Sequence, residues 1–311
     1  MKTVLISILV AVLLAAGCGG DDGAEPAAAA AGDGVSVVAA FYPLAEVARQ
    51  VGGDRADVDD ITPPGVEPHD LELTTDQVDA VASADLVVLM GRGFQPAVED
   101  VADDRDGATV VVLDELPATA DVGGEVADEE HAGGGEQALD PHVWLDPVQM
   151  GEIVTLVADA LTAADPAGAD TYRANAAAYR DDLDDLGAEM AAGLEGCRQR
   201  RIVTAHEAFG WLAARYGLEQ EAIAGLSPDQ EPDARHLAEL VDLVEAEGIT
   251  TIFTEALLSP AVAETLAREA GVDTAVLNPL EGLTDDELRA GENYLSVMRE
   301  NLATLTAALD C

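Results

Sequence analysis

Lysine is almost missing from this sequence: Lys2 is the only one among 311 residues. That excludes a phosphate-binding loop with its lysine, and it excludes Schiff-base chemistry on a lysine of the mature protein. Any ATP-driven process the protein serves needs its ATPase in another chain. Cations of every kind are scarce, with 15 Lys and Arg against 61 Asp and Glu and a formal net charge of -46. Nucleic acid is thereby excluded as a partner, because neutralising phosphates takes clustered Lys and Arg. Apolar runs of spanning length are lacking after the N-terminus, so only the N-terminus is expected to touch a bilayer. Cysteine is limited to Cys18, Cys197 and Cys311.

What is present begins with a leader. Lys2 is followed by an apolar run from Val4 to Ala16, with Ser7 as its one polar member, which predicts a signal peptide over residues 1–17. Its end, Leu14-Ala15-Ala16-Gly17-Cys18, resembles a bacterial lipobox, although Ala15 stands where a larger aliphatic residue is usual. Cys18 is therefore expected to be lipidated and to become the mature N-terminus. Residues 18–34 consist of Gly, Ala, Asp, Glu and Pro after the cysteine and bury too little apolar surface to offset their ordering entropy. They predict a flexible tether, and the protein is expected outside the cytoplasm, held to the cell membrane by lipid. Disulfides persist there, so Cys197 and Cys311 are expected to pair.

The rest of the chain alternates β-branched runs with helical patterns, which indicates parallel sheets covered by helices. Strands are predicted at 35–40, 57–62, 85–90 and 109–113, and again at 202–205, 221–224, 250–254 and 274–277. Helices are predicted at 44–51, 74–82, 96–102, 234–247 and 260–270. Between the two sets of strands lies a helical stretch, 147–163 and then 169–194. In the second of these helices Tyr172, Ala176, Tyr179, Leu183, Leu186, Met190 and Leu194 recur at steps of three and four, one apolar face of a helix about 39 Å long. The predicted fold class is thus α/β, with a β/α lobe over 35–146, connecting helices over 147–196 acting as a rigid strut, and a second β/α lobe over 197–311. The segment 121–137, rich in Gly, Asp and Glu with one histidine, His131, is predicted to be an acidic surface loop.

Five histidines are available: His69, His131, His142, His206 and His236. His69, His142 and His206 follow predicted strands or occupy turns between elements. In open α/β sheets ligands bind beyond the carboxyl ends of strands, so these three can converge across a cleft. Spacing alone leaves open whether they share a metal or are separate hydrogen-bonded side chains. His236 falls on the polar face of a predicted helix and is read as structural.

Several segments carry a resemblance beyond spacing. Those around His69 and His142, then His206-Glu207-Ala208-Phe209-Gly210-Trp211-Leu212, Ser227-Pro228-Asp229-Gln230-Glu231-Pro232, Leu277-Asn278-Pro279-Leu280-Glu281-Gly282-Leu283 and Tyr294-Leu295-Ser296-Val297-Met298-Arg299-Glu300-Asn301-Leu302 occur in order and at compatible spacing. Together they resemble the zinc and manganese solute-binding lipoproteins of ABC importers, on the zinc branch. The resemblance implies metal held between two β/α lobes, delivery of Zn²⁺ to an ABC permease with a separate ATPase subunit, a monomer, and no enzymatic activity. It carries three ligands onto His69, His142 and His206; manganese binders tend to have a carboxylate in the place of His206. The fourth ligand in the family is an Asp or Glu near the last strand end. Asn278 stands where some members have Asp, and members with this Asn-Pro-Leu-Glu pattern use the glutamate, which points to Glu281. Three imidazoles and one carboxylate suit tetrahedral Zn²⁺ better than Mn²⁺. The net positive charge this leaves could be offset by neighbours such as Asp70, Glu207 or Glu255, for each of which a solvated surface or helix-cap role is the alternative.

Three other readings compete. A manganese-binding homologue is disfavoured by an imidazole at His206. A zinc-dependent hydrolase finds no HExxH, because Gly210 occupies the place of the second histidine. A surface adhesin shares the fold and anchor and leaves no residue signature.

Overall fold

The computed structural model describes residues 34–116, 140–230 and 232–311, and Gly34–Cys311 form one compact unit. The predicted signal peptide, Cys18, the tether up to residue 33, and the acidic loop 121–137 with His131 lie outside the described residues. No described helix is long and apolar enough to cross a membrane.

The first sheet is made of β1 (Val35–Ala39), β2 (Ala56–Asp60), β3 (Leu86–Leu89) and β4 (Ala108–Val111), interleaved with helices α1 (Tyr42–Gly52), α2 (Thr75–Ser83), α3 (Pro96–Asp103) and α4 (Val112–Glu115). All pairings are parallel and the strand order is β2-β1-β3-β4. The central strand β3 reads Leu-Val-Val-Leu and is buried throughout, as a strand covered on both faces must be. The edge strand β2, Ala-Asp-Val-Asp-Asp, alternates instead. Two long helices follow, α5 (Pro147–Ala164) and α6 (Ala169–Leu194). The second sheet contains β5 (Arg201–Thr204), β6 (Glu219–Ala222), β7 (Thr251–Thr254) and β8 (Asp273–Val276), in the equivalent order β6-β5-β7-β8 and again parallel. Its helices are α7 (Gly210–Tyr216), α8 (Ala234–Glu247), α9 (Ala261–Ala270), α10 (Asp285–Ala290) and α11 (Tyr294–Ala308).

In each sheet the order reverses beside its first strand, between β1 and β3 and between β5 and β7, and loops beyond such switch points form crevices. The seven residues expected on the apolar face of α6 are all buried. That face meets α5 and α1 on one side and α11 on the other, so a single apolar cluster continues from β1 through α6 to α11. Asp146, fully buried, caps α5 by accepting the Val148 N–H, and it pairs with Arg215 of α7 at 2.6 Å. A strut anchored in this way holds the strand ends of both sheets in fixed places.

Two boundaries differ from those the sequence suggests. β6 occupies Glu219–Ala222 rather than 221–224, because pairing with β5 places Arg201 opposite Glu219 and Thr204 opposite Ala222. β4 ends at Val111, where the chain turns into α4.

Cys197, which follows α6, and Cys311 at the end of the chain form a disulfide spanning 114 positions. It ties α11 to the start of the second lobe, beside backbone bonds from Gln199 to Leu309 and from Arg198 to Asp310. Cys311→Ser is expected to lower unfolding free energy by about 5 kcal/mol, the chain-entropy value for a loop of this size. Denaturant melts of the variant and of wild type, with and without reductant, check this; equal midpoints in all four would show that the bridge carries no stability.

Candidate metal centre

Each sequence-predicted ligand sits on a short, tightly held turn. β2 leads into Thr62-Pro63-Pro64-Gly65, where Gly65 at φ 75° bends the chain and donates its N–H to Leu283 O across the crevice. His69 follows, its N–H donating to Glu67 Oε2 at 3.0 Å. His142 precedes the buried 3-10 turn Val143–Leu145. That turn is tied to the second lobe by Trp144 Nε1 donating to Pro279 O and by the Tyr294 hydroxyl donating to Trp144 O. His206 lies just past β5, its carbonyl accepting from Thr204 Oγ1 and Gln220 Nε2. Glu281 follows β8 after Leu280, a non-glycine residue at φ 57°. Asn278 sustains that unusual turn: its Oδ1 accepts the Leu280 N–H at 2.8 Å, and its own backbone is clamped by the Asn301 side chain.

These turns bring His69, His142, His206 and Glu281 together, with one donor atom from each within 4.8 Å of the others. Glu281 Oε1 is 3.2 Å from His69 Nε2, 3.3 Å from His142 Nε2 and 3.2 Å from His206 Nε2, and the last two nitrogens are 3.4 Å apart. A regular tetrahedron with metal–ligand bonds of 2.0–2.1 Å has edges of about 3.3–3.4 Å. Four of the six donor separations therefore match the edge length of such a coordination sphere, and the other two, from His69 to the other imidazoles, lie within 4.8 Å. His142 and His206 are completely buried and Glu281 is 1% exposed.

Behind the donors, two imidazoles are oriented by carboxylates. His206 Nδ1 lies 2.7 and 2.8 Å from the two oxygens of Glu255, which also accepts the His206 backbone N–H. His142 Nδ1 lies 2.8 Å from Asp140 Oδ1, and the same oxygen accepts the His142 N–H. An Nδ1–H held by a carboxylate leaves Nε2 as the lone-pair donor aimed into the cluster. Of the three acids considered as charge partners, Glu255 hydrogen-bonds an imidazole of the cluster, and Glu207 interacts with His142 and His206 through charge alone. Asp70 is exposed, and among the described residues the Glu207 carboxylate bonds none of the four donors. Asp140 was missed; the signal was its place two residues before His142 across a proline, which folds the carboxylate back onto the ring. His236 stands apart on α8, bonded to Ala222 O. Asn278 shapes the turn and takes no place in the cluster.

Without metal the cluster is an ion-pair network. Burial opposes charge on His206, but Glu281 and Glu255 outweigh it and push the imidazole up to about 10. Burial likewise opposes charge on His142, and the bonds to Asp140 and Glu281 raise it nonetheless. Burial would raise Glu281, yet His206 and the bonds from the other histidines hold its carboxyl well below the usual range. Metal must displace the proton on His206, so metal affinity is expected to climb with pH by about tenfold per unit through the neutral range toward pH 10. This range lies above the 6.5 of an ordinary histidine. Calorimetric titrations at neutral pH in buffers of different ionisation enthalpy should show at least one proton released per metal; no buffer dependence would contradict the raised imidazole. The sign for the metal-free fold is opposite: a raised histidine stabilises fully below about 6.5, and that contribution is lost as pH rises through about 10.

A two-lobed α/β protein whose parallel strands end around one buried three-histidine, one-glutamate cluster is defined as a class by its fold and donors. Residues 37–308 match the family described as zinc-uptake complex component A, periplasmic (ZnuA), and the chain belongs to that family. It is 41% identical over 283 residues to the zinc-binding lipoprotein AdcA of Streptococcus pneumoniae R6, covering 89% of this chain and 56% of the relative. The chain thus spans a little over half the length of the AdcA relatives it matches. The high-affinity zinc uptake system protein ZnuA of Bacillus subtilis 168 is 36% identical over 311 residues, covering 98% and 97% of the two chains. Among solved structures, the Zn(II)-bound ZnuA-like domain of Streptococcus pneumoniae AdcA superposes with a TM-score of 0.73 at 40% identity, covering 89% of this chain and all of that one.

Proposed function

We propose that this protein captures one Zn²⁺ outside the cytoplasm with His69, His142, His206 and Glu281 and delivers it to an ABC permease powered by a separate ATPase subunit. The observation that carries the reading is the convergence of the four donor atoms, four of whose six separations are 3.2–3.4 Å, the edge length of a tetrahedron sized for Zn²⁺. Membership of the zinc-uptake family and similarity to a Zn(II)-bound structure support it. Zn²⁺ exchanges its waters for three neutral imidazoles and one carboxylate, which leaves a single positive charge that the Asp140 and Glu255 carboxylates offset. Mn²⁺ prefers oxygen ligands and six-fold coordination, which this donor set does not provide.

The organisation proposed around that site is a cleaved signal peptide over 1–17, a lipid on Cys18, a tether over 18–34, lobes over 35–146 and 197–311, and the connecting helices 147–196 between them. The protein works as a monomer at the cell membrane and catalyses no reaction. His206 and Glu207 lie on a bend and Gly210 opens α7, so no helix carries them in a hydrolase arrangement.

Zinc-65 uptake by cells lacking the gene tests the proposal. Wild-type protein should restore uptake at nanomolar zinc, His206→Ala should not, and Cys18→Ser should shift the protein out of the membrane fraction. Restoration by His206→Ala equal to wild type would overturn the reading.

A further inference from the structure

Two aromatic rings stand against the cluster, Trp144 at 5.2 Å from the His142 ring and Phe94 at 4.4 Å from the His69 ring, and the loop that carries Phe94 is built to hold it there. Phe94 lies past β3 in the stretch Gly91-Arg92-Gly93-Phe94-Gln95. Gly91, Arg92 and Gly93 have φ of 85°, 57° and 85°, three left-handed residues in a row. For Arg92 the conformation is disfavoured by its Cβ, and such strain persists only where the surroundings over-determine it. They do so here. Glu99 of α3 accepts the N–H of Gly93 at 2.9 Å and that of Gln95 at 3.1 Å, while Gln95 Nε2 donates to Ala40 O and Thr62 Oγ1. The outcome is a Phe94 ring 3% exposed, 4.4 Å from the His69 ring in an edge-to-face contact, with Phe41 at 4.9 Å and Trp144 at 5.5 Å behind it.

His69 is the imidazole that most needs such a neighbour. His142 and His206 are oriented at Nδ1 by Asp140 and Glu255, whereas no described carboxylate bonds His69 Nδ1. We propose that Phe94 is a positioning and specificity-determining residue, fixing the His69 ring at its tetrahedral place and filling the space that further water ligands would need. The inference rests on the zinc-binding reading above. A six-coordinate ion such as Mn²⁺ requires two more donors, mostly oxygen. An apolar ring offers no lone pair, and a water wedged beside it would lose hydrogen bonds it makes in bulk. Backed by Phe41 and Trp144 in a close-packed interior, the ring has nowhere to yield. The site thus selects by coordination number as well as by ligand type.

The test uses the full chain loaded with Co²⁺, whose visible absorption is intense when four-coordinate and weak when six-coordinate, together with Zn²⁺/Mn²⁺ competition titrations. Phe94→Ala should weaken the Co²⁺ bands and lower the Zn²⁺-to-Mn²⁺ affinity ratio by about 10- to 100-fold, the range for loss of a ligand-orienting partner. Phe94→Leu, which keeps an apolar side chain and the fold, should fall between it and wild type. Leu266→Ala, a core truncation on α9 in an apolar cluster separate from the one that holds Phe94, should leave both readouts unchanged. If Phe94→Ala and Phe94→Leu retain wild-type spectra and ratio, or if Leu266→Ala shifts them equally, the role of Phe94 is overturned while zinc binding stands. If wild type itself shows no tight zinc and no four-coordinate Co²⁺ spectrum, the functional reading fails and takes this inference with it.

Discussion

Replacing Glu281 with alanine is expected to weaken zinc binding by more than about 100-fold, beyond the range for partners that only orient a ligand. Glu281 is the one carboxylate among the four proposed ligands, and its Oε1 lies within 3.3 Å of all three imidazole Nε2 atoms. Its removal deletes a ligand and also strips the charge that lets His206 and His142 sit together in a buried place. Alanine at His206 or His142 should act comparably, Asp140→Asn and Glu255→Gln should cost about 10- to 100-fold, and His236→Ala should cost nothing. Asn278→Ala should behave differently. It unpairs the Leu280 N–H and removes the bond from Asn278 Nδ2 to Glu287, leaving the Asn301 clamp on the backbone in place, so it should lower stability by about 1–3 kcal/mol while changing affinity less than Glu281→Ala. Competition titration against a zinc chelator, run beside thermal melts, separates the two. Loss of affinity in Asn278→Ala with none in Glu281→Ala would make the ligand assignment wrong.

Zinc should also stabilise the fold strongly. A ligand present at a thousand times its Kd adds about 4 kcal/mol to the native state. At a few degrees of midpoint per kcal/mol for a domain of this general size, that is a rise on the order of 10 °C. Part of the site is already satisfied without metal by the bonds among the histidines and Glu281, so the rise is the net of exchanging that network for a metal. At the same zinc concentration, Glu281→Ala should forfeit most of it. Differential scanning calorimetry of chelator-treated and zinc-loaded protein provides the comparison; identical midpoints would contradict a high-affinity site.

Much of this architecture was legible in the sequence because the signals were periodic and local. The seven apolar residues of α6 announced both its length and its buried face. His206 just past a β-branched run marked a strand end, while His69 and His142 lie on turns between elements that the fold brings to the same place. α11 escaped notice because its buried face, Tyr294, Val297, Met298, Asn301 and Leu305, is interrupted by an amide recruited to clamp Asn278. β6 reads Glu-Gln-Glu-Ala and has no strand-like composition; only its pairing to β5 sets its register. α7 and α10 are too short to show a period. At the site the four residues that cluster were readable and much of their surroundings was not. Asp140 backs His142 from two residues away, whereas Glu255 reaches His206 over 49 positions from the end of β7 to the end of β5 within the second lobe, which no local pattern encodes.

X-ray absorption at the zinc edge, on full chain purified without added metal and then loaded with a single equivalent, tests the central claim most directly. The account predicts a four-coordinate shell of three imidazole nitrogens and one oxygen at about 2.0–2.1 Å, with outer-shell scattering from the imidazole rings. A sulfur shell near 2.3 Å, or a six-coordinate shell dominated by oxygen, would contradict it.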